Sequence, residues 1–209
     1  VQGYLLTLIE GASKDKVILE KYLGRANKGV ERLTAIVKDL DMIAKLETNG
    51  LKLNLRPFNI LELVQNVFDL FEMRAKKKNI SLVFDRVYEF PVYVMGDVEK
   101  IEQVLINLIV NSIKYGKIGG ITKVGVEDYN QNKFIIKVSD NGEGVKQKHL
   151  SRLFERFYRV DQSRSRDQGG SGLGLSIVKH IIEAHNETIL LKSTFKEGSE
   201  FSFTLEKAK

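Results

Sequence analysis

From Leu19 the apolar positions of this chain advance by alternating steps of four and three: Leu19, Leu23, Ala26, Val30, Leu33, Val37, Leu40 and Ala44. That is the seam of a heptad repeat, which predicts a long helix built to pack against others of its kind. Val1, Leu5, Leu8 and Ala12 repeat the pattern in a shorter helix. Between them Gly11-Ala12-Ser13-Lys14-Asp15 predicts a turn, with Ser13 or Asp15 as N-cap. The result is an antiparallel helical hairpin of unequal arms: residues 15–47 would span about 50 Å and residues 1–11 only about 16 Å. A long apolar seam needs a cover of similar length. The pattern therefore predicts a first helix shortened at its start, and two hairpins pairing into the four-helix bundle of a homodimer.

The period changes after the loop at Asn49-Gly50, and Pro57 marks the boundary. Helical spacing returns over Ile60–Lys78, over Val98–Tyr115 behind Asp97 as N-cap, and over Leu173–Ala184. Ile80–Phe84 and Val92–Met95 read as strands. Ile121–Glu127 and Lys133–Ser139 predict a hairpin across Tyr129–Asn132, and Thr188–Ser193 with Glu200–Leu205 a second around Glu197-Gly198. Helices interspersed with hairpins predict an α+β chain. Residues 1–55 form the hairpin, and 56–209 an α/β two-layer sandwich with a mixed, largely antiparallel sheet and helices on one face.

Composition narrows the classes. The chain has 209 residues, 43% hydrophobic and 29% charged, which suits globular domains. No apolar run is long enough to span a membrane, and no signal peptide is visible. Without cysteine there is no disulfide or thiolate site, which suits a reducing, cytoplasmic compartment. A net charge of +6 reads as a lysine-rich solvated surface rather than a nucleic-acid footprint. Lys76-Lys77-Lys78 falls at a helix end, where cations favour the dipole.

Three boxes carry the candidate chemistry. In Asn107-Leu-Ile-Val-Asn111-Ser-Ile-Lys114-Tyr115, the two asparagines and Lys114 share one helix face. An amide oxygen suits Mg²⁺ that phosphates already neutralise in part, and an ammonium beside it can pair with phosphate. In Asp140-Asn-Gly142-Glu-Gly144, a carboxylate at a strand end can accept from an exocyclic amine such as adenine's, with glycines permitting close approach; alone, the box also reads as a plain turn. Gly169-Gly170-Ser171-Gly172-Leu173-Gly174 opens a helix, whose free N–H groups bind phosphate; alone, it also reads as a hinge. Between the last two lies Phe154-Glu-Arg156-Phe157-Tyr158-Arg159-Val160-Asp161, then a polar, basic run. That composition predicts a mobile lid anchored by Phe154 and Phe157, with arginines for phosphate charge. His149, His180 and His185 have no second ligand at metal spacing and read as structural.

The order of these boxes resembles the catalytic domain of sensor histidine kinases, within the ATPase superfamily shared with gyrase, mismatch-repair ATPases and a heat-shock chaperone. The resemblance covers residues 56–206, and the hairpin resembles that family's dimerisation and phosphoacceptor domain. It implies ATP and Mg²⁺, with Asn111 on the metal and Asn107 at the same end of the pocket. Lys114 and Tyr115 would contact phosphate and nucleoside, and Asp140 the adenine amine. Gly142 and Gly144 would form the adenine floor, with Gly170, Ser171, Gly172, Leu173 and Gly174 on the phosphates and Arg159 on the terminal one. Hydrolytic members carry a glutamate base at the position of Asn107, so asparagine there implies transfer rather than hydrolysis. The implied activity is ATP-dependent phosphorylation of a histidine, relayed to the receiver domain of a response regulator.

One departure stands out. The family's acceptor histidine belongs on the first helix, and residues 1–55 contain no histidine. The expectation is an acceptor upstream of Val1, no autophosphorylation by this chain alone, and anchorage of the full-length protein in the inner membrane through upstream segments. The competing reading is a non-catalytic, dimerising nucleotide-binding module of the same superfamily.

Overall fold

The computed structural model describes residues 2–9, 16–48, 52–160 and 171–208. Helices α1 (Gln2–Ile9) and α2 (Lys16–Thr48) come first. They are followed by β1 (Arg56–Asn59), α3 (Ile60–Lys76), β2 (Ser81–Phe84), β3 (Tyr93–Gly96), α4 (Val98–Tyr115), β4 (Ile121–Asp128) and β5 (Lys133–Asp140). The chain ends with α5 (Gln147–Leu150), α6 (Gly174–Ala184), β6 (Ile189–Thr194) and β7 (Gly198–Lys207).

α1 packs on the first part of α2, with Tyr4 and Tyr22 ring centroids 5.8 Å apart and the Arg25 guanidinium over both rings. Leu8 and Ala26 are buried there. The rest of the heptad seam faces outward: Leu23 is 47% exposed, Val30 50%, Leu33 56% and Val37 63%. The turn expected at residues 11–15 and the loop at Asn49-Gly50 lie outside the described residues.

The strands form one seven-stranded sheet in the order β1-β3-β7-β5-β4-β2. The β2–β4 pair is parallel and the others antiparallel, so the sheet is mixed and largely antiparallel, as the pattern predicted. β7 gives one whole edge to β5. It divides the other between β6, along Gly198–Phe203, and β3, at Glu206 and Lys207. Alternate residues point into the core, among them Val124, Val126, Ile136, Val138, Phe203 and Leu205. The apolar stripes of α3, α4 and α6 cover that face, including Val64, Val67, Ile101, Leu105, Ile109, Ile177 and Ile181. Phe203 is fully buried at the centre, so truncation to alanine would cost about 3–5 kcal/mol.

The helix ends are set by side chains. Asn59 accepts from the Leu61 N–H at the start of α3, and Asp97 from the Lys100 N–H at the start of α4. Asp97 is also a junction. Its second carboxylate oxygen accepts from the Asn54 N–H (3.0 Å), in the segment leading into β1. Its own N–H donates to Nε2 of His185, at the C-terminus of α6 (3.0 Å). His185 Nδ1 donates in turn to the Ile181 carbonyl. Lys78 does sit on a helix C-terminus, but on a neighbour's. Its ammonium donates to the Ile113 and Lys114 carbonyls of α4.

Two short elements have no counterpart in the sequence pattern. β1 contains Pro57 and is an outer strand, where a missing N–H is tolerated. α5, which holds His149, is a single turn too short to show a period. Beyond the end of β2, the loop that follows closes the side of β4. The Val126 N–H donates to the Tyr88 hydroxyl at 2.6 Å, and Arg86 Nη2 donates to the Val126 carbonyl at 2.7 Å. Asp85 fills the space over Gly125, where a Cβ would come within 2.6 Å of its carboxylate.

Candidate active site

α4 is the wall on which the three boxes meet. Its inward face, Ile101, Leu105, Leu108, Ser112 and Ile113, is buried in the core. Asn107, Asn111 and Lys114 rise on another face, each half-buried. Near its middle α4 meets the start of α6: a Cβ on Gly174 would lie 3.0 Å from the Asn107 Oδ1. Nδ2 of Asn107 is buried without a hydrogen-bond partner, an arrangement that costs about 1–3 kcal/mol unless a ligand accepts from it. α6 begins without a side-chain cap, so its first N–H groups present positive charge at the same point.

The C-terminus of α4 meets the Asp140 box. The Glu143 N–H donates to the Tyr115 carbonyl, and a Cβ on Gly142 would come within 2.6 Å of that oxygen. Asp140 ends β5 opposite Thr122, and its Oδ1 accepts from the Gly142 N–H at 2.8 Å. Burial pushes its carboxyl above the usual carboxylate range, while N–H bonds from Gly142 and Ser199 pull the other way. Such a carboxylate has been taken out of water and lacks a full set of partners, which suits an incoming donor. Burial also raises the Tyr115 phenol; the Arg159 guanidinium lowers it and the Glu143 carboxylate raises it. Arg159 and Glu143 are therefore near enough to Tyr115 to act on its charge, and the Lys114 ammonium lies 5.0 Å from its ring centroid.

The structure thus brings Asn107, Lys114, Tyr115, Asp140, Gly142, Arg159 and Gly174 to one region, with Asn111 one turn along α4 from Asn107. It changes the reason for others. Gly144, at φ 59°, is set against the β6–β7 hairpin, where a Cβ would fall 2.0 Å from the Thr194 carbonyl. Its close approach is to protein backbone. The Ser171 hydroxyl accepts from the Leu173 N–H, so it shapes the turn into α6. Phe154 is an anchor, edge-on to Phe201 at 6.4 Å, but the Phe157 ring is 56% exposed and holds its place through its backbone instead. Gly170 and the expected lid over residues 161–169 lie outside the described residues.

Sequence reasoning missed a buried pair behind the site. The Ser112 and Thr122 hydroxyls bond each other in the core, joining the helix next to Asn111 to the strand opposite Asp140. The signal was a single hydroxyl within each apolar face. Among the described residues no cluster of His, Cys, Asp and Glu could hold a metal. An amide oxygen such as that of Asn111 is the kind of ligand that suits a hard cation shared with phosphates.

Asp140, Tyr115, Lys114 and Arg159 gather where α4 ends, and the orphaned Asn107 amide meets the start of α6 nearer the middle of the helix. Residues 96–209 match the family described as Histidine kinase-, DNA gyrase B-, and HSP90-like ATPase. Sensor histidine kinase WalK of Bacillus subtilis is 33% identical over 206 residues, which are 98% of this chain and 33% of WalK. The chain spans a third to a half of the length of the curated relatives it matches. Histidine kinase AdeS of Acinetobacter baumannii aligns with a TM-score of 0.77 at 31% identity, covering 100% of this chain and 93% of that one. Histidine kinase ThkA, solved in complex with the response regulator TrrA, aligns with a TM-score of 0.77 at 28% identity, over 99% of this chain and 56% of that one. The chain belongs to this ATPase family and carries the catalytic ATP-binding domain of a sensor histidine kinase. No helix among the described residues is long and apolar enough to cross a membrane.

Proposed function

We propose that this chain binds ATP with Mg²⁺ and transfers the γ-phosphoryl group to a histidine, for relay to an aspartate of a response regulator. The orphaned Asn107 amide beside the uncapped start of α6 carries the reading. Asp140 accepts from the adenine amine, and Tyr115 lies along the nucleoside. The backbone at Gly172, Leu173 and Gly174 and the side chains of Lys114 and Arg159 hold the phosphates. Asn111 is the ligand for Mg²⁺, which supplies charge neutralisation between phosphate oxygens when bound.

In the transfer, the bond from the γ-phosphorus to the β–γ bridging oxygen breaks and a bond to an imidazole nitrogen forms. ADP leaves with the electron pair, and the charge that grows on it is met by Lys114, Arg159 and the N–H groups of α6. Asn107 carries an amide, which cannot take a proton from water; that favours transfer over hydrolysis.

Residues 1–55 serve as the dimerisation hairpin and 56–209 as the catalytic domain. The exposed Val30, Leu33 and Val37 of α2 support pairing of two hairpins as a homodimer. The complex of ThkA with its response regulator supports a receiver domain as the downstream partner. The acceptor lies outside residues 1–55, which contain no histidine.

The test incubates labelled ATP, Mg²⁺ and the chain with a separate histidine-bearing helical hairpin. Acid-labile phosphate on that hairpin is expected, and none on the chain itself. ATP binding without transfer would favour a non-catalytic nucleotide-binding module. Absence of ATP binding would remove both readings.

A further inference from the structure

The Asp140 box is held from outside as well as by its own Gly142 N–H. Three ties join it to the β6–β7 hairpin. The Lys196 N–H donates to the Glu143 carbonyl at 2.7 Å. Gly144 and Gly198 let the two backbones touch: a Cβ on Gly198 would fall 2.0 Å from the Asp140 carbonyl oxygen. The third tie is a single hydroxyl. Ser193 Oγ accepts from the Val145 N–H at 2.9 Å and donates to the Gly198 carbonyl at 2.9 Å. The Ser199 hydroxyl lies 2.9 Å from it. A hydroxyl has one proton and two lone pairs. With the proton on Gly198, Ser199 must be the donor, and all three positions of Ser193 are used.

Ser199 is also the residue paired across the sheet with Asp140. Ser193 thus ties the loop that leaves Asp140 to the turn beside its strand partner Ser199. An adenine and a guanine differ at the edge that carboxylate meets, one offering an amine and the other a carbonyl. A carboxylate discriminates between them only if it cannot swing away from the carbonyl.

We infer that Ser193 is a positioning residue for purine selection, locking the Asp140 loop to the β6–β7 turn so that the carboxylate accepts an amine and rejects a carbonyl. The inference rests on the reading of Asp140 as the adenine acceptor.

The experiment measures displacement of a fluorescent ATP analogue from the 209-residue chain by ATP and by GTP, each with Mg²⁺. Ser193→Ala should weaken ATP roughly three- to tenfold, the effect of one lost neutral hydrogen bond, with GTP little changed. The ATP-to-GTP preference then shrinks by the same factor. Ser193→Thr keeps the hydroxyl and should restore it. Ser193→Ala added to Asp140→Asn should shrink the preference no further than Asp140→Asn alone. Parallel loss of ATP and GTP affinity in Ser193→Ala, or no change in either, overturns the inference. If Ser193→Ala does not fold, Ser199→Ala removes one of the three bonds and decides by the same ratio. Should Asp140→Asn leave the preference intact, the adenine assignment falls and this inference with it. Should Asp140→Asn abolish the preference while Ser193→Ala spares it, only the role of Ser193 falls.

Discussion

Phe157 donates its backbone N–H to the carbonyl of Gly172 at 3.0 Å, and both residues hold positive φ, 60° and 76°. The chain between them leaves and returns at one fastened point, two residues before α6 begins. Left-handed backbone costs a residue with a side chain about 1–2 kcal/mol, so Phe157 is held there by its surroundings. A Cβ on Gly172 would come within 2.9 Å of the Phe157 Cα. Gly172→Ala should therefore open the fastening and weaken ATP at least about tenfold, by about 1.4 kcal/mol or more. Adenosine, which has no phosphate, should lose much less. Equal losses for the two ligands, measured by calorimetry, would refute a phosphate-side role for this contact.

Asp140 gives a pH dependence with a definite sign. Burial holds its carboxyl above the usual range in the unliganded chain. For folding, a raised carboxyl contributes stability that is present in acid and is lost as pH rises through its folded value. Adenine binding has the opposite sign: an amine donating to the carboxylate favours the charged form. Adenosine affinity should fall as pH drops through the mildly acidic range, and binding there should release protons. Calorimetry in two buffers of different ionisation enthalpy reads both effects. A flat profile in the wild type would sink the assignment, and a flat profile is the expected result for Asp140→Asn.

Glu187 is buried behind the sheet and accepts from the Lys133 ammonium at 2.7 Å and from the Thr204 hydroxyl. Its side chain is only 3% exposed, against 30% for Lys133. Removing one member of a buried pair strands the other, but this lysine can partly rehydrate. Glu187→Ala should cost about 2–3 kcal/mol, at or below the low end for such pairs. Glu187→Gln, which can still accept from Thr204, should cost less. Urea unfolding checks both, with ATP affinity unchanged in each folded variant. Equal costs for the two variants would show that the charge, which both remove, is what Glu187 supplies, rather than its volume or its bond to Thr204.

The outward seam of α2 predicts association. Leu33→Asp should abolish concentration-dependent dimerisation in sedimentation while leaving ATP affinity intact. A wild-type chain that stays monomeric at high concentration would show that something other than a second copy covers the seam.

Legibility in the sequence followed the range of the interactions. α4 could be read at both ends because a cap, a period and a break all lie within the same short stretch: Asp97, the apolar stripe and Gly116. The β4–β5 hairpin could be read for the same reason. The candidate polar face of α4 was visible because asparagine is out of place between apolar residues. What escaped is set by distant partners. His185 looked structural, which it is, but its partner Asp97 is 88 residues away and no local pattern points to it. Ser193 meets Val145 across 48 residues, and its position in β6 resembles any polar site on a half-exposed strand. Gly144 was read for a close approach, but its partner in the β6–β7 hairpin could not be named, since a glycine shows that something comes close but not what. The strand β1 around Pro57 was not read because proline is as much at home in a loop as in an outer strand.

The phenol of Tyr88 has a consequence for the protein in a crowded solution. β2 is too short to cover β4, and the backbone at Val126 would otherwise be a vacant row of donors and acceptors. Such a row recruits strands from other molecules, and does so most readily from copies caught part-way through folding. Tyr88 takes the Val126 N–H and Arg86 takes its carbonyl, so the place is filled by side chains from the chain's own loop. With this side of β4 sealed, a partly folded neighbour has no template here to extend into a growing aggregate.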